Sequence, residues 1–257
     1  MNEINRPIIS IITVVYNNLT GIEETILSVV NQSYKNIEYI IIDGNSNDGT
    51  TEVIKKYTNY IDVFISEPDN GIYDAMNKGI DLATGDYIIF MNSGDIFYNY
   101  EVISEVFCDL TRTHDIIFGD TCADYGTYNK IVKASYPKQN NPMSFGHQAV
   151  FVKTPILKKN RFDTNYKICS DKNQFIQIFK YQPSYKYYNI TISKIAAFGI
   201  SNENRIATLK EIKTIYKKNN ISSNLALNMS LLRGKCISLI ESIIGVNKIN
   251  NLRRLLN

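Results

Sequence analysis

Apolar and polar positions alternate in two different rhythms along the first part of the chain. Pro7 to Tyr16 (PIISIITVVY) is a β-branched run ending in Asn17-Asn18, so it predicts a buried strand followed by a turn. Thr20 or Gly21 can open a helix with apolar positions Ile22, Ile26, Val29 and Val30, ending near Gln32. Ile37 to Ile42 predicts a second strand, followed by the polar stretch Asp43 to Thr50 (DGNSNDGT) and a helix through Val53, Ile54 and Tyr57. Ile61 to Ile65 predicts a third strand. The block from Glu67 to Asp95 then holds a turn, an amphipathic helix and the apolar run Tyr87 to Met91. It closes on the polar tetrapeptide Asn92-Ser93-Gly94-Asp95. Such a βαβα alternation predicts an α/β fold with a doubly wound, mostly parallel sheet. Right-handed crossovers bring the carboxyl ends of its strands to one rim. Asp43 and Asp95 both follow strands, which places both on the rim where open α/β sheets bind ligands.

The second half is read more coarsely. Val102 to Leu110 predicts a helix, Asp115 to Phe118 a short strand and Thr127 to Lys133 another. Pro137 to Pro142 (PKQNNP) reads as a loop able to close over a ligand. Tyr166 to Phe175 reads as a segment leading into a helix, with Ser170-Asp171 at its start and Ile176 and Phe179 continuing the apolar stripe. Arg205 to Asn219 predicts an amphipathic helix and Leu231 to Ile244 a second, apolar one. The expected organisation is one domain over residues 1–204 and a helical tail over 205–257.

Charge changes at that boundary. Residues 1–204 carry 18 Lys and Arg against 23 Asp and Glu, whereas residues 205–257 carry 10 against 2. A basic amphipathic tail suits the surface of an anionic bilayer. Packing on the core or on a second subunit, as in a homodimer, is the alternative. No nucleic-acid partner is expected: the tail lacks interleaved aromatics, and the acidic first part would repel phosphate backbones. The four cysteines have no CxxC spacing and read as reduced, buried thiols. The apolar N-terminal run is only a strand long and lacks a basic leader, and no apolar run reaches the roughly 18 residues of a membrane span. The expected location is therefore cytoplasmic, with peripheral contact to the inner face of the inner membrane.

Three segments resemble the family 2 glycosyltransferases of the GT-A fold: Ile11 to Asn17 (IITVVYN), Asp43 to Thr50 (DGNSNDGT) and the Glu67 to Asp95 block. The ending FMNSGD, in place of a more acidic motif, is similar to the colanic-acid-type subgroup. The resemblance spans roughly Pro7 to Asn204. It implies an inverting sugar transfer from a nucleotide-diphosphate-sugar (a UDP- or GDP-sugar) to a hydroxyl of a lipid-linked glycan. The setting would be the synthesis of bacterial cell-surface polysaccharide such as O-antigen or capsule. It also implies a divalent cation, Mn2+ or Mg2+, set against the diphosphate. Asp95 would be its carboxylate ligand, with His147 of Phe145-Gly146-His147-Gln148 completing the sphere.

The same resemblance places the donor on Tyr16, Asp43, Asp48, Asp74, Asn77, Lys78, Ser93 and Gly94. Asp74, Asn77 and Lys78 stand three and four apart and so share one helix face. Asp171 would be the base that takes the acceptor proton, with Asp163 as a neighbouring alternative and Asp120 on the acceptor side. Ordinary structural roles compete at several positions. Asp48 is placed to cap the helix that follows it, Asp43 to form a turn, His147 to be a hydrogen-bonded structural residue, and Asp171 to interact favourably with a helix N-terminus. Two other functions stay open: a nucleotidyltransferase, although Tyr16 to Thr20 replaces its glycine-rich loop, and a non-catalytic nucleotide-sugar-binding protein.

Overall fold

β-Branched residues fill β1 (Ile9–Val15), and every position of that strand is buried. Burial on both faces is what a central parallel strand requires. In the computed structural model, which describes residues 6–108, 113–139, 141–197 and 204–221, β1 lies between two parallel neighbours. After α1 (Leu19–Val30), β2 (Ile37–Asp43) pairs with it from Ile9↔Ile37 to Val15↔Asp43. After α2 (Thr50–Lys55), β3 (Val63–Ser66) adds to β2, again in parallel. After α3 (Ile72–Leu82), β4 (Tyr87–Phe90) pairs with the other side of β1. The remaining elements are β5 (Ile96–Phe97), α4 (Val102–Val106), β6 (Ile116–Asp124), β7 (Asn129–Val132), β8 (Val150–Lys153), α5 (Thr154–Lys159), α6 (Ser170–Phe179) and β9 (Tyr185–Ala196). They extend the sheet to the order β3-β2-β1-β4-β8-β6-β9-β5, with β7 paired to β6. Antiparallel β8 joins the parallel first part to the β6–β9 pair.

Alternation along β1 divides the core between the two faces of the sheet. Ile9, Ile11 and Val15 pack with Ile22, Ile26 and Val29 of α1, Ile54 of α2 and Val102 of α4. Ile12 and Val14 pack with Met76 and Ile80 of α3 and with Phe175 and Ile178 of α6. Helix α3 approaches β1 closely: a Cβ added at Gly79 would stand 2.5 Å from Ile12 Cγ2. The polar core positions are bonded. Thr13 Oγ1 donates to the Met91 carbonyl at 2.7 Å, tying β1 to the end of β4.

The second half departs from the sequence expectation in several respects, β8, α5 and β9 being unforeseen. The strand expected to end at Phe118 continues to Asp124, because it carries on through Gly119 and Asp120 with an irregular register against β9. That irregularity buries Asp120, which accepts hydrogen bonds from Lys133 Nζ (2.7 Å), the Ala134 amide (2.9 Å) and the Tyr187 hydroxyl (3.0 Å). Helix α4 ends at Val106 rather than Leu110; residues 109–112 lie outside the described residues.

The chain divides into two compact units, Met1–Ala197 and Phe198–Asn257. In the second unit, α7 (Arg205–Lys218) is the described helix; the one expected over Leu231 to Ile244 lies outside the described residues. No described helix is long and apolar enough to cross a membrane.

The close packing of α3 on β1 gives a stability test. Gly79→Ala gains helix propensity, up to about 1 kcal/mol, but forces a methyl into Ile12. Overpacking of that kind costs about 1–3 kcal/mol, so urea unfolding should show net destabilisation. A more stable variant would mean that α3 rides higher on the sheet.

Candidate active site

The carboxyl ends of β1, β2 and β4 meet at one rim, and short-range hydrogen bonds shape each loop there. Past β1, Asn17 is left-handed (φ 46°) and Asn18 caps α1 by accepting from the Gly21 amide at 3.1 Å. The Asn18 amide also donates to the Ser93 carbonyl at 3.1 Å, linking the β1 loop to the β4 loop. Tyr16 is mostly exposed, and its ring edge lies over Gly44, where an added Cβ would come within 3.3 Å of it.

Past β2, Asp43 is fully buried and its carboxylate is well supplied with donors. It accepts from the Ser46 amide (3.0 Å), the Ser46 hydroxyl (2.5 Å) and the Ser66 hydroxyl (2.6 Å), bracing the loop against the end of β3. Asp48 accepts from the Thr50 amide and hydroxyl and from the Leu19 amide, so it fixes the starts of α2 and α1 together. The Thr50 hydroxyl in particular holds its carboxyl below the usual carboxylate range.

Helix α3 presents the three polar residues that sequence spacing groups together, and each has a partner within the fold. Asp74 accepts from the Asn70 amide at 3.0 Å. Lys78 pairs with Glu67 at 2.7 Å and donates to the Pro68 carbonyl at 3.2 Å. Asn77 is buried and bonds both backbone groups of Phe162, each at 3.0 Å. Asn77 thereby fastens α3 to the segment that precedes α6, and Arg161 reinforces the joint through Asp81 and the Asn77 carbonyl.

Past β4, Asn92 to Asp95 form a tight turn in which Gly94 is left-handed at φ 96°, a conformation that favours glycine. Buried Thr25 of α1 holds this turn from behind. Its hydroxyl accepts from the Gly94 amide (2.9 Å) and donates to the Asp95 carbonyl (2.8 Å). Asp95 is half-buried, and its carboxylate accepts one hydrogen bond, from Gln148 Nε2 to Oδ2 at 3.1 Å. Burial pushes its carboxyl up to about 7, with the Gln148 bond opposing.

Gln148 belongs to a single 3₁₀ turn, His147–Ala149. The neighbouring His147 ring is stacked on Phe90 (5.1 Å between centroids) and meets Phe162 edge-on (5.8 Å). Burial lowers its pKa, and the charge of Asp171 acts in the opposite sense. Both His147 ring nitrogens are buried with no hydrogen-bond partner, as are Asn92 Oδ1 and Ser93 Oγ. Such orphaned atoms carry a desolvation cost that a ligand can relieve. A neutral imidazole and a carboxylate suit a divalent cation that keeps open positions for phosphate oxygens. They do not make an all-protein cage: among the described residues no group of three His, Cys, Asp or Glu gathers to hold a metal.

Asp171 lies in the first turn of α6, where the helix dipole favours a carboxylate. Its Oδ1 is 3.4 Å from the Tyr73 hydroxyl, which donates to the Ile168 carbonyl at 2.7 Å. Asp163 shapes the turn before α6: its carboxylate accepts from Asn165, and its carbonyl accepts from the Ser170 hydroxyl. Asp120, on β6, is occupied by Lys133 and Tyr187.

The model for glycosyl transferase family 2 matches residues 10–180, well over half the chain. The chain belongs to glycosyl transferase family 2. A PGL/p-HBAD biosynthesis glycosyltransferase of Mycobacterium tuberculosis is 23% identical over 201 residues, covering 75% of this chain and 78% of the relative. An uncharacterized glycosyltransferase of the same species is 40% identical over 102 residues, so the match spans 39% of each protein, about two-fifths of that relative's length. Among solved structures, a mannosyltransferase from Pyrobaculum calidifontis in complex with GDP-Man and Mn2+ superposes with a TM-score of 0.66. It is 14% identical, and the match covers 97% of this chain and 79% of that one. Residues 1–349 of TarS from S. aureus in complex with UDP-GlcNAc give 0.65 at 15% identity, covering 87% and 70%. These likenesses make the fold that of the GT-A glycosyltransferases.

In this family 2 glycosyltransferase the sequence did not mark Thr25, Tyr73, Phe90 and Phe162 as parts of the site, and Gln148 carried no role. Each acts through a partner far along the chain, and no local motif announces that.

The half-buried Asp95 carboxyl predicts a pH-dependent stability cost in metal-free protein. Its folded pKa lies above the ordinary carboxylate value, so between about 4 and about 7 the folded state keeps a proton that the unfolded state has lost. Stability therefore falls as pH rises through that window. In EDTA, Asp95→Asn should raise Tm at pH 8, with the gain shrinking toward pH 4. An equal difference at both pH values would show that Asp95 is well solvated.

Proposed function

We propose that the rim is the donor site of an inverting, cation-assisted sugar transfer, with Asp95 and His147 holding the cation and Asp171 acting as base. The observation that carries this reading is the His147-Gln148 dipeptide. Gln148 bonds Asp95, and His147 feels the charge of Asp171, so the two aspartates are served by adjacent residues. A bound divalent cation supplies positive charge against the leaving diphosphate.

The chain's own groups account for the rest. Asp171 takes the proton of the acceptor hydroxyl as its oxygen bonds to the anomeric carbon. The bond from that carbon to the diphosphate oxygen breaks, its electron pair leaves with the nucleoside diphosphate, and the anomeric configuration inverts. Tyr73, beside Asp171, keeps the base near the wall formed by α3. Tyr16, Asp43, Asp48, Ser93 and Gly94 line the nucleotide and diphosphate side. Asp74, Asn77 and Lys78 reach the donor only by exchanging or sharing their present partners. The donor is a UDP- or GDP-sugar, a reading supported by the GDP-Man and UDP-GlcNAc bound to the two structural neighbours.

We read the acceptor as a lipid-linked glycan and the setting as cell-surface polysaccharide synthesis of the colanic-acid type, at the cytoplasmic face of the inner membrane. The FMNSGD ending and the basic character of residues 205–257 support that reading.

A panel of UDP- and GDP-sugars, with and without Mn2+, tests the donor. At least one should raise Tm only when Mn2+ is present. Asp171→Asn should keep that shift and lose about 10²–10⁴-fold in turnover. Unchanged turnover removes Asp171 as base; a donor shift that ignores Mn2+ removes the cation.

A further inference from the structure

The Asn92 to Asp95 turn offers one carboxylate where an acidic cluster would offer several, and a lone carboxylate must be aimed. Its main chain is fixed by Thr25, through the Gly94 amide and the Asp95 carbonyl. Its side chain is fixed from the opposite direction by Gln148, whose Nε2 donates to Oδ2 at 3.1 Å. We propose that Gln148 is the positioning residue of the cation site: it occupies one oxygen of Asp95 and presents the other to the metal. This rests on the reading of Asp95 as a metal ligand given above.

Three observations support it. Gln148 Nε2 is the one side-chain donor to the Asp95 carboxylate among the described residues. Gln148 is itself held by a rigid support, because it sits in the 3₁₀ turn closed by the Ala149 amide on the Gly146 carbonyl at 3.0 Å. That turn is seated tightly on β6: a Cβ added at Gly146 would stand 2.3 Å from Thr121 Oγ1. The amide is also neutral. It orients Asp95 without adding a second negative charge beside the incoming diphosphate, which a carboxylate at the same place would do. Side chains that orient a ligating group commonly govern metal affinity by 10–100-fold. The same turn carries His147, so one local structure sets both expected ligands.

Manganese binding tests this without reference to turnover. Free Mn2+ is followed by electron paramagnetic resonance during titration of the full chain in the presence of UDP, with UDP alone as the blank, and Tm is read in EDTA and in MnCl2. Gln148→Leu should keep its Tm in EDTA within a few degrees and weaken Mn2+ binding about 10-fold or more. Gln148→Glu has the same shape but sets two carboxylates against each other. At pH 8 it should lower Tm in EDTA and enlarge the rise in Tm on adding MnCl2. This second variant keeps the proposal testable should the leucine variant fail to fold. Wild-type Mn2+ affinity in Gln148→Leu, or an unchanged metal response in Gln148→Glu, overturns the role of Gln148 while leaving Asp95 as ligand. No Mn2+ binding by the wild-type chain overturns the metal reading, and the positioning role with it.

Discussion

A half-buried carboxylate held at the end of a buried strand is the constraint around which this rim is organised. Asp95 follows β4, whose residues are fully covered, and the chain must turn there without losing backbone hydrogen bonds. Several bonds hold the turn to its surroundings. Ser93 donates to the Val14 carbonyl, Thr13 donates to the Met91 carbonyl, and Thr25 bridges Gly94 and Asp95. Each partner is on β1 or α1, the most thoroughly buried part of the fold. An enclosed charge is tolerable only where it is held in a fixed place, since burial without good partners is costly. The main chain at Asp95 has such a place, supplied from β1 and α1, while its carboxylate is held by Gln148 of the His147–Ala149 turn.

The rim distributes satisfied and unsatisfied polar groups unequally. On the β2 side, the carboxylates of Asp43 and Asp48 are supplied by neighbouring amides and hydroxyls, and they rigidify the loops that carry them. On the β4 side, Asn92 Oδ1, Ser93 Oγ and both His147 nitrogens are buried without partners, close to a carboxylate with a single donor. Native interiors keep few such atoms, and those that persist call for an explanation. Four of the eight such atoms among the described residues belong to Asn92, Ser93 and His147, the others standing on β6, α6 and β9, and those by the β4 loop fit a place that something else completes.

The elements and the rim were legible because they are local. The β-branched run at Pro7 to Tyr16, the Asp-Gly turns and the helix start at Ser170-Asp171 each state their structure within a few residues. What escaped was long-range pairing. Asn77 and Lys78 each stand one helical turn from Asp74, as their spacing says, but Asn77 turns to Phe162, 85 residues away. Gln148 and Asp95 are separated by 53 positions. Nothing in either neighbourhood encodes that contact. The strand through Gly119 and Asp120 was cut short for a related reason: a glycine-acid pair reads as a turn, and only the register against β9 carries it onward. Sequence pattern shows which face a residue takes. It does not show which partner waits there.

Charge balance gives the last step. The lysine nearest the donor motif, Lys78, is neutralised by Glu67, and Arg161 at the foot of the same helix is neutralised by Asp81. Lys133, across the sheet, is spent on Asp120. A diphosphate arriving beside α3 therefore meets, in Lys78 and Arg161, cations that are already paired. Two like-charged groups a few ångströms apart in a partly dry site repel by several kcal/mol at an effective dielectric of about 20. Loosening the Lys78–Glu67 pair would free one positive charge but leave Glu67 uncompensated beside the incoming anion. A divalent ion shared between Asp95 and the phosphates adds two charges at once and strands no partner. On the cation reading proposed above, binding of the anionic donor and of the cation would be one event, with the neutral amide of Gln148 adding no further negative charge beside it.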